Sequence, residues 1–157
     1  MNYLPVALKI KNKKAIVVGG GKVGQRKIEA LLLAEARITL IAPKVTVELR
    51  ELAKQGAIEW LERKAKESDI FGATLVISAT DDSFLNEQVS NWAKVKGISV
   101  NVVDKPLLSD FISPAVLRTE KALIAVYTDG KDPVLSRDLK NYLKEKWDEF
   151  LLYRNRL

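Results

Sequence analysis

Residues 14–34 read KAIVVGGGKVGQRKIEALLLA, and this stretch decides the fold. A short β-branched run meets three consecutive glycines, and apolar residues then recur at roughly helical spacing. The stretch therefore predicts a strand, a glycine turn and a helix. Within the turn, Gly19, Gly21 and Gly24 have the GxGxxG spacing, which in this context favours a dinucleotide whose pyrophosphate lies at the helix N-terminus. An ordinary strand-to-helix turn is the alternative.

Basic residues follow the glycines directly. Lys22, Arg26 and Lys27 occupy the first turns of the predicted helix, where the helix dipole favours acids. A bound anion would offset the repulsion between these cations and the helix N-terminus. A solvated basic face is the alternative for each of them.

The second predicted strand covers residues 37–42 and is expected to end at Pro43. Many nucleotide-binding folds place an acid at this strand end to hold the adenosine ribose, whereas here Lys44 follows the proline. The residues therefore leave the choice between NAD and NADP open, and Lys44 is also placed to meet a 2′-phosphate.

Strand and helix patterns continue to alternate beyond this point. Strands are predicted at residues 57–61, 73–79 and 98–103, and helices at 45–55 and 83–96, the last with Asp81-Asp82 as its N-cap. Strands that are apolar on both faces predict a parallel, doubly wound α/β sheet of the Rossmann type. Thr80 and Asp104 end the fourth and fifth strands and thus border the crevice where such sheets bind ligands. Asp104 is the candidate proton acceptor there, and a capping role is its alternative.

The pattern changes after Asp104. Residues 115–118 and 122–127 predict a hairpin, and Asp132-Pro133 predicts the start of one long helix with an apolar stripe from Leu135 to Leu151. Such a helix is longer than its own sheet requires, which predicts a homodimer interface. We expect a nucleotide-binding domain over residues 1–110 and a small α+β dimerisation appendage over residues 111–157.

Composition excludes several kinds of site. The 157 residues include no His and no Cys, so thiolate and imidazole chemistry and the usual zinc ligand sets are excluded, and no metal site is predicted. The net charge of +6 favours anionic partners, but aromatics are only 7% and do not interleave with the basic run, so we expect no nucleic acid. No apolar run approaches the roughly 20 residues that span a bilayer. We therefore expect a cytoplasmic protein with no membrane partner.

A competing catalytic pattern lies near the C-terminus. Tyr142 and Lys146 have the Tyr-x-x-x-Lys spacing of short-chain dehydrogenases, in which the lysine assists the phenol. Tyr142 also belongs to the apolar stripe of the predicted last helix, and the glycine loop lacks the spacing of that family. A packing role is the favoured interpretation.

Several motifs together resemble one known family. They are Leu4-Pro5, Val17 to Val23, Arg26-Lys27, Ala79 to Asp82, Asn101 to Asp104, Phe111 with Pro114, and Gly130-Lys131-x-Pro133-x-Leu135 with Arg137. In their order and separation they are similar to precorrin-2 dehydrogenase, the domain that also forms the N-terminal part of siroheme synthases.

The resemblance implies an activity and a set of site residues. Members oxidise precorrin-2 to sirohydrochlorin with NAD, some also insert the metal, and the aspartate matching Asp104 is essential. The resemblance further implies a homodimer and contacts to cofactor and substrate. The implied cofactor contacts are Lys22, Val23, Pro43 and Lys44, and the implied substrate contacts are Asn101, Thr128 and Lys131.

Two departures from the family pattern keep an alternative open. Thr128-Asp129 replaces a small Ser/Thr-Gly pair, and Asp132 replaces a serine. Acids facing a substrate that carries eight carboxylates would weaken its binding. The alternative is an NAD-binding, redox-sensing module without turnover.

Overall fold

The computed structural model describes residues 3–103 and 105–155. These residues form two compact units, which we name the sheet unit, Val6–Ile112, and the tail unit, residues 3–5 with 113–155. The structural boundary thus lies between residues 112 and 113, and the first described residues belong with the C-terminal part of the chain. The functional roles that the sequence assigns to the two parts remain predictions.

The sheet unit is built on a five-stranded, fully parallel sheet in the order β3-β2-β1-β4-β5. The strands are β1 (Lys14–Gly20), β2 (Arg37–Val45), β3 (Glu59–Leu61), β4 (Leu75–Ser78) and β5 (Ser99–Val102), joined through α1 (Lys22–Leu32), α2 (Val47–Lys54) and α3 (Ser83–Val95), with 3₁₀ turns at Glu67–Ile70 and Pro106–Leu108. The predicted doubly wound α/β architecture is confirmed.

Alternate residues of the strands feed two separate cores, one on each face of the sheet. On one face Val17 and Leu40 pack with Ile28 of α1 and Leu49 of α2. On the other face the members include Ile16, Val18, Val76, Val100 and Val102 from the strands with Val89 and Ala93 from α3. Burial on both faces is why the strands are continuous Val/Ile runs rather than alternating polar and apolar residues.

The end of β2 differs from the prediction, because the strand does not stop at Pro43. It continues to Val45, which pairs with Gly20 of β1 after a register shift between Val18 and Gly20. The neighbouring strand β3 ends its pairing at Leu61, opposite Ile41. A proline beyond that point removes no bond to β3, so the strand tolerates it.

The tail unit contains an antiparallel pair, β6 (Ala115–Arg118) and β7 (Leu123–Val126), followed by α4 (Pro133–Glu145) and α5 (Trp147–Arg154). Asp132 caps α4 through a 2.7 Å bond from the Leu135 N–H, with Pro133 at the first helical position, as predicted.

The prediction of one long helix is wrong, because Lys146 separates α4 from α5 with φ −88° and ψ 1°. Backbone bonds still cross the junction, from the Lys146 N–H to the Tyr142 oxygen and from the Phe150 N–H to the Lys146 oxygen, each at 3.0 Å. α5 has no apolar stripe like that of α4, because Asp148, Glu149 and Arg154 lie among its apolar residues around the helix. The apolar stripe of α4 therefore does not continue past Lys146.

Candidate functional site

The glycine loop lies where the direction of the sheet order reverses. β1 and β4 are neighbours, and the chain runs outward from β1 to β2 on one side and from β4 to β5 on the other. The crevice beyond the carboxyl ends of such strands is the usual ligand site of an open α/β sheet. The loop and the start of α1 are therefore the first place to test for a nucleotide.

Of the three glycines in the GxGxxG spacing, Gly19 and Gly24 are required by the protein itself. Gly19 has φ +110°, and a Cβ there would collide with the Ala79 carbonyl at the end of β4. A Cβ on Gly24 would collide with the Gly19 carbonyl, so this position holds helix and strand together. An alanine at residue 24 would therefore require the loop to shift.

Gly21 differs from both of these, because the space beside it is open. It is the N-cap of α1 in extended conformation, φ −78° and ψ −178°, and no atom lies within 4 Å of where its Cβ would be. No side chain caps the helix and no acid occupies its first turn. The first turn of α1 thus begins at an open cradle beside Gly21, and these residues fit the pyrophosphate of a dinucleotide.

The positive side chains predicted to bind the anion are accessible. Lys22 and Arg26 are exposed, as is Val23 in the same first turn, whereas Lys27 is half-buried. Since the N-terminus of α1 already carries partial positive charge, exposed cations here favour an anionic ligand.

The extension of β2 brings Pro43 and Lys44 to the same loop. A Cβ on Gly20 would collide with the Lys44 carbonyl, and the Thr46 N–H donates to the Gly20 oxygen at 3.0 Å. Pro43 and Lys44 are both exposed. The structure therefore gathers the predicted cofactor contacts from α1 and β2 around one glycine turn.

Thr80 stands beside the loop on the β4 side, and its hydroxyl is engaged within the protein. It lies 2.8 Å from Asn86 Oδ1, and Asn86 donates its Nδ2 to the Thr80 carbonyl at 2.9 Å. Ser78, fully buried, donates to the same Asn86 oxygen at 2.7 Å. Asp82 caps α3 through Leu85 at 3.0 Å. Thr80 thus fixes the turn that lies against Gly19.

The Ser78–Asn86 pair was missed by sequence reasoning. Asn86 is 6% exposed, and its position on the buried face of α3 is the signal that was available. A polar residue on an apolar helix face requires a buried partner, and here it joins β4 to the helix that follows it.

Asp104, the predicted proton acceptor, lies outside the described residues. Its neighbours are described: the Val103 N–H donates to the Ser78 oxygen at 2.9 Å, and the Lys105 N–H donates to the Val102 oxygen at 3.1 Å. Asn101 is 5% exposed and donates its Nδ2 to the Phe111 carbonyl at 2.9 Å. Its Oδ1 is buried without a hydrogen-bond partner among the described residues.

The other predicted substrate contacts, Thr128 and Lys131, belong to the tail unit. The Thr128 hydroxyl lies 2.7 Å from the Asp132 carbonyl and 2.9 Å from Ser136 Oγ, which closes the turn before α4. Lys131 is 80% exposed at its side chain and pairs with Asp129 at 3.5 Å. Burial, with Asp129 nearby, raises the pKa of Tyr127. The acids that depart from the family pattern thus have local roles, Asp132 as a helix cap and Asp129 as partner of Lys131.

The competing Tyr142/Lys146 pattern also lies in the tail unit. Lys146 Nζ bonds Glu149 at 2.7 Å, and this carboxylate raises the pKa of the lysine. Tyr142 is 56% exposed rather than packed. The ammonium is therefore committed to a carboxylate and not to the phenol.

The described residues form neither a metal-binding cluster nor a membrane-spanning helix. Within residues 3–103 and 105–155, no three acidic side chains come together in a way that would hold a metal ion. Over the same residues, no helix combines the length and the apolar character needed to cross a bilayer.

Known proteins similar to this chain are consistent with a nucleotide site. Siroheme synthase of Pseudomonas paraeruginosa (strain DSM 24068 / PA7) is 43% identical over 147 residues, which is 94% of this chain and 31% of that protein. Siroheme synthase of Nitrosococcus oceani is 42% identical over 144 residues, 92% of this chain and 31% of that protein. The chain thus spans about a third of the length of these relatives.

A solved structure extends the comparison. SirC, precorrin-2 dehydrogenase, superimposes with a TM-score of 0.79 at 27% identity, covering 92% of this chain and 71% of that chain. The similarity to siroheme synthases and precorrin-2 dehydrogenase that the motifs predicted is therefore confirmed. Residues 6–115 match the profile of a family described as "Putative NAD(P)-binding". A nicotinamide dinucleotide is the class of cofactor that this match indicates, and the chain belongs to that NAD(P)-binding family.

Proposed function

We propose that this chain is an NAD-dependent precorrin-2 dehydrogenase that forms sirohydrochlorin. The observation that carries the proposal is the open cradle beside Gly21, at the reversal point of the sheet. Its support comes from the precorrin-2 dehydrogenase SirC, to which 92% of this chain is similar in structure. The alternative of a redox-sensing module shares the cradle and differs in having no turnover.

In this proposal, residues of α1 bind the cofactor and Asp104 accepts the proton. When bound, NAD supplies the hydride acceptor. The first-turn N–H groups of α1 and the Lys22 ammonium hold the pyrophosphate, and Gly21 leaves room for it. Asp104 comes two residues after the end of β5 in the sequence, and we assign its carboxylate as the acceptor of the proton that the substrate loses. Oxidation removes one hydride and one proton from the substrate. The hydride passes to NAD, and Asp104 accepts the proton.

The proposed substrate contacts are Asn101, Thr128 and Lys131. Precorrin-2 carries eight carboxylates, and Lys131 offers an exposed ammonium for one of them. Asn101 and Thr128 remain proposed contacts, each with part of its polar capacity already engaged within the protein. Among these three residues Lys131 has the greatest freedom to reach a carboxylate, because its side chain is 80% exposed and its ion pair with Asp129 is 3.5 Å long.

A substitution at Lys44 tests whether the cofactor is NAD or NADP. We propose NAD as the cofactor, and Lys44 beside Gly20 is the residue whose charge would favour a 2′-phosphate. Calorimetry is expected to show NAD binding to the wild-type protein, and Lys44→Ala is expected to weaken NADP more than NAD. Wild-type binding of NADP in preference to NAD would contradict the proposal of NAD.

Turnover is the test of the proposed function. The purified protein, incubated anaerobically with precorrin-2 and NAD, is expected to produce the absorbance of sirohydrochlorin. Gly21→Val is expected to lose this activity, and Ala30→Val, on the exposed far side of the same helix, serves as the control. A folded wild-type protein that binds NAD and makes no sirohydrochlorin would favour the redox-sensing module instead.

A further inference from the structure

The outer strand β5 has polar backbone groups that need partners. In a parallel sheet, alternate residues of an edge strand direct both N–H and C=O away from the neighbouring strand. For β5 these residues are Val100 and Val102, since the Val103 N–H turns inward to Ser78 of β4. An unpaired edge at this place would lie directly before Asp104.

Residues 105–111, which we name the return segment, satisfy this edge with side chains as well as backbone. The Asp110 N–H donates to the Val100 oxygen at 2.8 Å, and Asp110 Oδ2 accepts from the Val100 N–H at 3.0 Å. Both outward groups of Val100 are therefore bonded to one residue. The carboxylate acts here as the carbonyl of a missing sixth strand would.

Ser109 bonds both outward backbone groups of Val102, which is two residues closer to Asp104 in the sequence than Val100. Its Oγ accepts from the Val102 N–H at 2.8 Å and lies 3.1 Å from the Val102 oxygen and 3.0 Å from the Lys105 oxygen. One hydroxyl thus joins the last residue of β5 to the residue that follows Asp104. The Lys105 N–H adds a second bond to the Val102 oxygen at 3.1 Å.

Side chains of α3 and β5 also donate hydrogen bonds to backbone carbonyls of the return segment. Ser90 on α3 donates to the Leu108 carbonyl at 2.6 Å, and Asn101 donates to the Phe111 carbonyl at 2.9 Å. The described residues on both sides of Asp104 are thus tied to β5, and Ser109 joins Val102 to Lys105.

From this geometry we infer that Ser109 and Asp110 are positioning residues for Asp104. They bond the residues where the chain leaves β5 and, at Lys105, where the described chain resumes after Asp104. The inference rests on the proposed function, in which Asp104 accepts a proton from the substrate. Small displacements of such a group reduce the rate strongly, because proton transfer requires hydrogen-bond distance.

The first test separates positioning from edge protection. Ser109→Ala removes the hydroxyl, and Ser109→Thr keeps it. With saturating precorrin-2 and NAD, Ser109→Ala is expected to lower kcat about tenfold or more with little change in the NAD dissociation constant, and Ser109→Thr to recover most of the rate. Thr39→Val is the matched control, because it removes a hydroxyl bonded to Glu59 at 2.8 Å near the opposite edge of the same sheet. It is expected to change the melting temperature and leave kcat alone.

The second test asks whether Ser109 acts through Asp104. If it does, Ser109→Ala should cost nothing further in an Asp104→Asn background, since residues that act as a unit are not additive. Equal rate losses in both backgrounds would overturn the inference. Should Ser109→Ala fail to fold, Asp110→Ala replaces it, because the backbone bond from Asp110 to Val100 survives in that variant.

Failure of this inference and failure of the proposed function look different. A wild-type kcat in folded Ser109→Ala, together with a slow Asp104→Asn, overturns the positioning role and leaves the function standing. A wild-type protein that makes no sirohydrochlorin, or an Asp104→Asn variant with the wild-type rate, overturns the assigned chemistry and the positioning role with it.

Discussion

At the scale of single residues, Gly21 gives the cleanest test of cofactor binding. Gly21→Val places a branched side chain in the open cradle, where its Cβ meets no atom of the protein within 4 Å. We expect the fold to persist and the NAD dissociation constant to rise at least about tenfold, because the side chain occupies the place of the pyrophosphate. Calorimetry with NAD measures this, with Ala30→Val as the control. Unchanged affinity in the folded variant would contradict the phosphate-loop assignment.

Substitution of Gly24, unlike that of Gly21, should affect the stability of the fold. A Cβ at this position collides with the Gly19 carbonyl, so Gly24→Ala is expected to destabilise the fold by about 1–3 kcal/mol whether or not NAD is present. Urea denaturation of the protein without cofactor measures the free energy of unfolding. A Gly24→Ala variant as stable as wild type would show that the loop relaxes easily and that the close approach is not needed.

At the scale of elements, the connection between β3 and β4 carries a pH-sensitive ion pair. Asp69 accepts from both terminal nitrogens of Arg63, at 2.7 Å and 2.6 Å, and from the Lys66 N–H at 2.7 Å. The Arg63 guanidinium, bonded to Asp69, holds the pKa of that carboxyl below its ordinary value. Folding therefore favours the ionised form, and the stability gained is present above the ordinary pKa and lost as the pH falls through the folded pKa.

Asp69→Asn is accordingly expected to lower the free energy of unfolding by about 1–3 kcal/mol at pH 7. The difference from wild type should shrink as the pH falls below the ordinary carboxyl pKa of about 4. Urea titrations between neutral and acidic pH measure both curves. The double variant with Arg63→Ala is the control, because a cycle isolates the pair. A difference that stays constant down to the lowest pH would contradict the assigned pair.

The elements also show what sequence could and could not provide. The five strands of the sheet and the Asp82 and Asp132 caps were predictable, because burial on both faces and local capping chemistry leave direct sequence signals. The extension of β2 past Pro43 was not, since it depends on where β3 stops. The break at Lys146 was not predictable either, because no glycine or proline marks it in the sequence.

Some residues of the site could be predicted from the sequence, and others could not. Gly19, Gly21 and Lys22 follow from spacing alone, whereas the reason for Gly24 appears only with the Gly19 carbonyl in place. Ser109 and Asp110 have no motif, because their bonds go to backbone groups of an edge strand. No single-sequence pattern distinguishes them from ordinary loop residues.

At the scale of the whole molecule, the apolar side chains of α4 predict self-association. Leu135 and Tyr142 lie on one stripe and are 53% and 56% exposed. A stripe of this kind is expected to be covered in solution, and we propose a homodimer. Light scattering should give twice the mass of one chain, and the variant with Leu135→Lys and Tyr142→Lys should give a monomer. Leu33→Lys, at a leucine that is 65% exposed in the sheet unit, is the control. A wild-type monomer at micromolar concentration would contradict the proposal.

The central claim is that this chain oxidises precorrin-2 with Asp104 as proton acceptor. The most direct measurement is single-turnover oxidation of precorrin-2 under saturating NAD by wild type and Asp104→Ala, with a thermal melt and an NAD titration of each. We expect wild type to form sirohydrochlorin and the variant to be about 10²- to 10⁴-fold slower, with NAD affinity and fold intact. An Asp104→Ala variant that melts a few degrees lower yet turns over at the wild-type rate would contradict the claim and leave Asp104 a capping residue.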